Sequence, residues 1–312
     1  MKNSNFSPTF GDAMSRSCLL ATVLFLAGCQ PSGSEPDGAP RPEETRAREV
    51  IAEAIQAHGG DIFESGTFRF HFRGADFRVI REDGYFYQER VREVEGATIT
   101  EAMTNSGTFR WVNGASVELG PDAERSLETA VNSVVYFAFL PYRLEDPAAR
   151  PLHLGERELE GTSYDLVEVT FHQEGGGRDH DDRFLYWFHG ADRTLDFLAY
   201  YYHTGESGSR FRKAIQRRTV DGMVVQDYEN YSGEMQGEGL GMQELERYDD
   251  LYREGALELV SEVILEGVAK GPLPQLRPWD EVMAGRMPVP GPRWSGTDWR
   301  NPEGTGAGGG AP

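Results

Sequence analysis

The chain has 312 residues and a formal net charge of −20, from 51 acidic and 31 basic side chains. That balance opposes contact with phosphate backbones and anionic membrane surfaces, so nucleic acid is excluded as an expected partner. Cysteine occurs only at Cys18 and Cys29 and lysine only at Lys2, Lys213 and Lys270, which leaves no framework of disulfides and no Cys-rich zinc site.

At the N-terminus, Lys2 and Arg16 precede a short apolar run, Leu19 to Ala27, with the layout of a secretory signal and well short of the ~20 residues that span a bilayer as a helix. Met14 offers an alternative start. The run ends in Leu26-Ala27-Gly28-Cys29, which resembles the lipobox of bacterial lipoproteins. The resemblance implies that residues 1–28 are a signal peptide cut before Cys29, and that Cys29 is lipidated and ties the protein to a membrane of the cell envelope. Gln30 after the cysteine favours the outer membrane in that class. Residues 29–42, rich in Pro, Gly and Ser, read as a flexible tether. A buried helix ending in Gly-Cys is the alternative, and this polar stretch argues against it.

The next segment predicts a helix: Ala47, Val50, Ile51, Ala54 and Ile55 fall at helical spacing, and Gly59-Gly60 supplies a stop. Phe68, Phe70 and Phe72 then alternate with Arg69, His71 and Arg73, the pattern of a strand buried on one face. Strands follow near 77–82, 85–92, 97–103, 108–112 and 115–119, with Asn113-Gly114 as the clearest type I′ turn. A second, mostly apolar helix is expected from Pro121 to about Leu140, ended by Pro141. Strands resume near 152–160, 163–172, 183–189, 195–203, 210–220 and 223–232, followed by a helical piece near 242–254 and a last strand near 257–266. Strands joined by tight turns and only two or three helices predict a mainly β, α+β fold: one strongly curved antiparallel sheet, a half-open barrel, packed on the helices. Residues 43–268 form that single domain, and 269–312 read as a Pro/Gly-rich disordered tail. Trp294 and Trp299 are unusual residues for such a tail.

Ala57-His58-Gly59-Gly60 leading into Phe68-Arg-Phe-His-Phe-Arg resembles the opening of Lol-type lipoprotein carriers. The stretches around 132–142, 171–182 and 199–204 are similar to an uncharacterised family of bacterial lipoproteins, which brings no function with it. The Lol-type likeness implies an apolar concavity, between sheet and helices, that holds acyl chains.

One constellation has the residue types for chemistry. The hairpin 173–182 carries Glu174, Asp179, His180, Asp181 and Asp182, and counting through the neighbouring turns brings His172 and His203 to the same rim. Mixed histidine and carboxylate ligands suit a divalent metal such as zinc, manganese or non-haem iron, and a carboxylate loop suits calcium. The spacing matches neither His-Glu-x-x-His nor an EF-hand, and a solvated acidic turn whose Asp residues cap backbone groups is the plainer reading. His58 sits at a helix C-terminus, where a cation is favoured, and His71 and His153 read as exposed strand residues. Lys213 is a poor Schiff-base candidate, on a strand crowded with Arg210, Arg212, Arg217 and Arg218 that reads as solvated and basic. No catalytic motif is present.

Phe184, Tyr186, Trp187 and Phe188 beside Tyr200, Tyr201 and Tyr202 place rings on both faces of one hairpin, so neither face is simply wet. One face meets the helices. The other lines a ligand cavity, meets a partner, or lies under a further helix. The leading expectation is a membrane-anchored, non-enzymatic lipoprotein that binds a lipid or other hydrophobic small molecule. The rivals are a metal-assisted hydrolase or lyase on the His172, Asp179–Asp182, His203 rim, and an adaptor of an envelope complex.

Overall fold

The computed structural model describes residues 40–172, 181–203, 207–233 and 240–283; the expected signal peptide, Cys29 and residues 284–312 lie outside them. The first helix, α1 (Pro42–Ala57), carries Pro at its start and Glu43 and Glu44 in its first turn, where acidic groups complement the helix dipole. Its buried face is Ala47, Val50, Ile51, Ala54 and Ile55, the set predicted from spacing. Gly59 turns the chain out of the helix at φ 124°, and a Cβ there would meet the Gly222 carbonyl oxygen at 2.9 Å, so that position admits only glycine without strain.

A meander follows: β1 (Gly66–Phe72), β2 (Ala75–Glu82), β3 (Tyr85–Val94), β4 (Ala97–Thr104), β5 (Gly107–Val112) and β6 (Ala115–Val117). Asn113 and Gly114 both have positive φ, as a type I′ turn requires. The second helix, α2 (Pro121–Ala138), leads to β7 (Ala149–Leu159), β8 (Thr162–Phe171), β9 (Arg183–His189), β10 (Leu195–Tyr202), β11 (Gly208–Val220) and β12 (Met223–Ser232). A 3-10 turn (Met242–Arg247) and α3 (Tyr248–Arg253) precede β13 (Glu258–Val263) and β14 (Glu266–Gly271), and α4 (Pro278–Met283) comes last. Among the described residues no helix is long and apolar enough to cross a membrane.

The fold is mainly β and antiparallel, as the pattern predicted. The expected curved sheet takes the form of two unclosed seven-stranded sheets, β14-β1-β2-β3-β4-β5-β6 and β13-β12-β11-β10-β9-β8-β7. The predicted last strand is in fact two: β13 closes one sheet and β14, two residues later, closes the other. The chain therefore crosses between the sheets here as well as through α2. Residues 269–283 carry the end of β14 and α4, whose Trp279 and Val282 pack on Ile80, Tyr87, Ala102 and Trp111.

The second sheet is covered on both sides because β9 and β10 are apolar on both faces. Phe184, Tyr186, Phe188, Leu198 and Tyr200 face α1 and the inner core. Leu185, Trp187, Phe197 and Ala199 face Leu245, Tyr248 and Leu251 of the 3-10 turn and α3. An irregularity in the pairing between Leu195 and Phe197 puts Leu195 and Leu198 in the same inner cluster, which strict alternation would forbid.

A buried ion cluster fixes α1 to this sheet. Asp165 on β8 is 5 % exposed and receives Arg193 at 2.5 Å, His153 at 2.8 Å and Arg46 of α1 at 3.3 Å. His153, read from sequence as exposed, is half-buried and engaged here. Burial opposes ionisation of Asp165, but the hydrogen bonds of His153 and Arg193 and the charges of Arg46 and Arg193 outweigh it and hold its carboxyl below the ordinary value of 3.8.

Two outcomes are expected. Asp165→Asn lowers unfolding free energy by about 3 kcal/mol at neutral pH, the scale for removing one partner of a buried ion pair. Because the folded carboxyl is depressed, that stabilisation is present above the ordinary carboxylate value and is lost as pH falls through the lower folded one, so urea denaturation shows the gap between the two proteins closing in acid. Trp279→Ala, which strips the ring stacked at 5.6 Å on Tyr85, costs about 3 kcal/mol in the same assay.

Candidate functional site

Between the two sheets lies a cavity of about 830 Å³, within the ~300–1,000 Å³ range of small-molecule sites. Its position follows from how α2 packs. Leu127, Val131 and Val135, four residues apart, form the helix's buried stripe, and the helix lies on β3, β4 and β5. The opposite face, with Thr129, Asn132, Ser133, Tyr136 and Phe137, is half-buried and lines the cavity. The sequence predicted a largely buried helix; half of it fronts this space.

The wall is mostly apolar. Phe72, Phe86 and Met103 come from the first sheet, Phe171, Phe184, Tyr200, Tyr202 and Tyr228 from the second, and Val263 and Leu265 from the corner. Phe137 reaches across from α2 to Tyr200, with ring centroids 5.0 Å apart, and the Tyr136 and Tyr186 hydroxyls hydrogen-bond at 2.8 Å. Burial raises both phenols above their ordinary range, so both stay protonated and neutral.

The charged groups on this wall are Arg73, Arg81, Arg143 and Arg212 against Glu128, Asp146 and Asp182, a cationic excess inside an acidic chain. Arg143 has Asp146 at 3.8 Å, and burial together with the charge of Arg81 pushes its guanidinium down. Arg212 on β11 was read as part of a solvated basic strand, and the structure overturns that. It pairs across the ladder with Leu198, an inward residue, so its side chain must also point inward. It is 9 % exposed and sits 4.1 Å from the Phe137 ring centroid. Strand register carried this signal, and charge composition concealed it.

Four of the seven predicted metal-site residues are among the described residues. Glu174, Asp179 and His180 lie outside the described residues. Asp182 and His203 do meet: the Asp182 carboxylate accepts from the His203 backbone N–H at 3.2 Å and lies 3.0 Å from its Nδ1. His172 is exposed, with its backbone N–H on the Ala148 carbonyl, and Asp181 is exposed. Among the described residues no three His, Cys, Asp or Glu side chains group as metal ligands do. Lys213 points away from the cavity, bonding the Tyr252 hydroxyl at 2.6 Å and Glu160 at 3.3 Å. Burial lowers its pKa, but these partners outweigh it and the net shift is upward. The lysine is therefore a cation at neutral pH and no Schiff-base nucleophile. His58 is buried, its Nδ1 bonded to the Ala54 carbonyl at 2.8 Å. Burial pushes its pKa down, so it is a neutral core residue and no cation at the helix end.

Residues 42–264 match the model of DUF6503, a family of unknown function. No curated protein matches the chain. Among solved structures, a LolA superfamily protein from Nitrosomonas europaea is similar at 9% identity and TM-score 0.42, over 76% of this chain and 96% of that one. A proposed outer membrane lipoprotein-sorting protein domain from Vibrio parahaemolyticus is similar at 12% identity and TM-score 0.35, over 60% and 86%. A DUF1329 family protein from Desulfovibrio piger follows at 12% identity and TM-score 0.33, over 59% and 85%.

Asp182→Ala removes both acceptor contacts to His203 and is expected to cost about 1–3 kcal/mol in thermal unfolding, while Asp182→Asn, which keeps an acceptor oxygen, costs less.

Proposed function

The chain belongs to the DUF6503 family, and we propose that it binds a lipid or another hydrophobic small molecule in the cavity between its two sheets. The observation that carries this reading is the cavity itself. A space of about 830 Å³ walled mostly by aromatic and aliphatic side chains rewards burial of apolar surface at about 25 cal/mol per Å². The lipobox-like Leu26-Ala27-Gly28-Cys29 supports a finer reading, in which Cys29 is acylated after cleavage and holds the binding domain at the envelope, at the outer membrane by the Gln30 criterion.

An uncharged hydrophobic dye such as Nile red tests the reading without invoking any charge. Wild-type protein is expected to take up the dye at one site with a blue-shifted emission. Asn132→Trp, which fills the cavity from α2, is expected to weaken uptake by about tenfold, or 1.4 kcal/mol, with little change in melting temperature. Absence of dye uptake by folded wild-type protein, or uptake indifferent to Asn132→Trp, contradicts the proposal.

A further inference from the structure

Most arginines packed on the sheets of this chain are answered by carboxylates; among the described residues Arg69, Arg81 and Arg210, all half-buried, have none at ion-pair distance, and Arg212 is the most deeply buried of those without one. Arg78 has Glu89 at 2.8 Å, Arg110 has Glu101 at 2.7 Å, Arg217 has Asp196 at 2.5 Å and Arg218 has Asp227 at 2.8 Å. Arg212 breaks the pattern. It is more deeply buried than Arg217 or Arg218, yet among the described residues no carboxylate forms an ion pair with it. Its Nε donates to Asn230 at 3.3 Å and its Nη2 to the Tyr200 hydroxyl at 2.8 Å, while Nη1 is buried without a hydrogen-bond partner. The rings of Phe137 and Tyr200, 4.1 Å and 5.1 Å from the guanidinium carbon, stabilise the cation but satisfy none of its N–H groups.

A guanidinium held in place by two neutral partners, with one nitrogen unused and the cavity beside it, is arranged to receive an anion. We infer that the ligand of the cavity is an amphiphile with an anionic oxygen headgroup, a carboxylate or a phosphate, bound by Arg212 while its tail fills the apolar space. This rests on the cavity-binding reading and adds the ligand's class to it. Nη1 is the nitrogen left without a partner, and guanidinium N–H groups suit a planar or tetrahedral oxyanion. The Tyr200 hydroxyl accepts from Arg212 and has its own proton to donate to the same anion. Placing the ligand's charge there removes the cost of an uncompensated buried cation.

The test compares dodecanoate with its methyl ester, each displacing Nile red from wild-type protein, Arg212→Gln and Arg212→Lys. The inference expects the wild type to prefer dodecanoate. Arg212→Gln should weaken dodecanoate by roughly tenfold to a hundredfold, the span of a charge-assisted hydrogen bond, and leave the ester unchanged, so ester binding certifies that the variant is folded. Arg212→Lys should keep part of the preference, because it keeps the charge and loses the fork. Equal binding of dodecanoate and ester by the wild type overturns the inference while cavity binding stands. If neither the dye nor the ester binds, the cavity-binding reading is what fails. Inorganic phosphate alone separates the sources of the anion: no displacement of dodecanoate supports an amphiphile's headgroup, and displacement at comparable concentration identifies a free oxyanion and overturns the assignment.

Discussion

Everything about this molecule that bears on function depends on one packing constraint: α2 lies on one sheet, and a second sheet stands opposite with its own apolar inner face. The buried stripe Leu127, Val131 and Val135 commits the helix to the first sheet. Only the aromatics near its end, Tyr136 and Phe137, reach the second. What α2 and α1 leave unfilled is the cavity. A close-packed interior would have been the ordinary outcome for two sheets with apolar inner faces, and the half-buried polar face of α2 is the sign that this one was built around a space.

The ion clusters have a part in holding that space open. Asp165 ties α1 to the second sheet through Arg46, and Glu101, fully buried under three arginines of β3 and β5, braces the sheet on which α2 lies. Burial opposes the ionisation of Glu101, yet the hydrogen bonds of Arg90 and Arg110 hold its carboxyl below the ordinary range. Against these satisfied clusters Arg212 stands out. Its neutral contacts position it, and its charge is left for whatever enters.

Much of the fold was legible in the sequence, because hydrophobic period and turn chemistry are local. The face of α1, the phenylalanine alternation of β1 and the Asn113-Gly114 turn could each be read within a few residues. The two-faced aromatics of β9 and β10 foretold two covered faces, and the structure supplies both covers offered for them: a cavity with α1 inside, and α3 outside. The split of the last strand into β13 and β14 was not legible, since nothing local says that consecutive strands end in different sheets. Residues 269–283 hid for the opposite reason: prolines and glycines mask the one short helix, α4, that seats Trp279. The site was least visible of all. Its walls come from segments more than a hundred residues apart, and its most deeply buried arginine looked like the rest of a basic strand until the ladder paired Arg212 with Leu198. The acidic hairpin, prominent in composition, lies mostly outside the described residues, and of its described members Asp182 meets His203.

Native mass spectrometry of the protein, purified without added lipid or chelator, shows most directly whether the cavity carries an amphiphile. The account predicts a second population heavier by the mass of one amphiphile, dissociating on activation as an anion of carboxylate or phosphate character. A single population at the bare polypeptide mass, unchanged after incubation with dodecanoate, would contradict it.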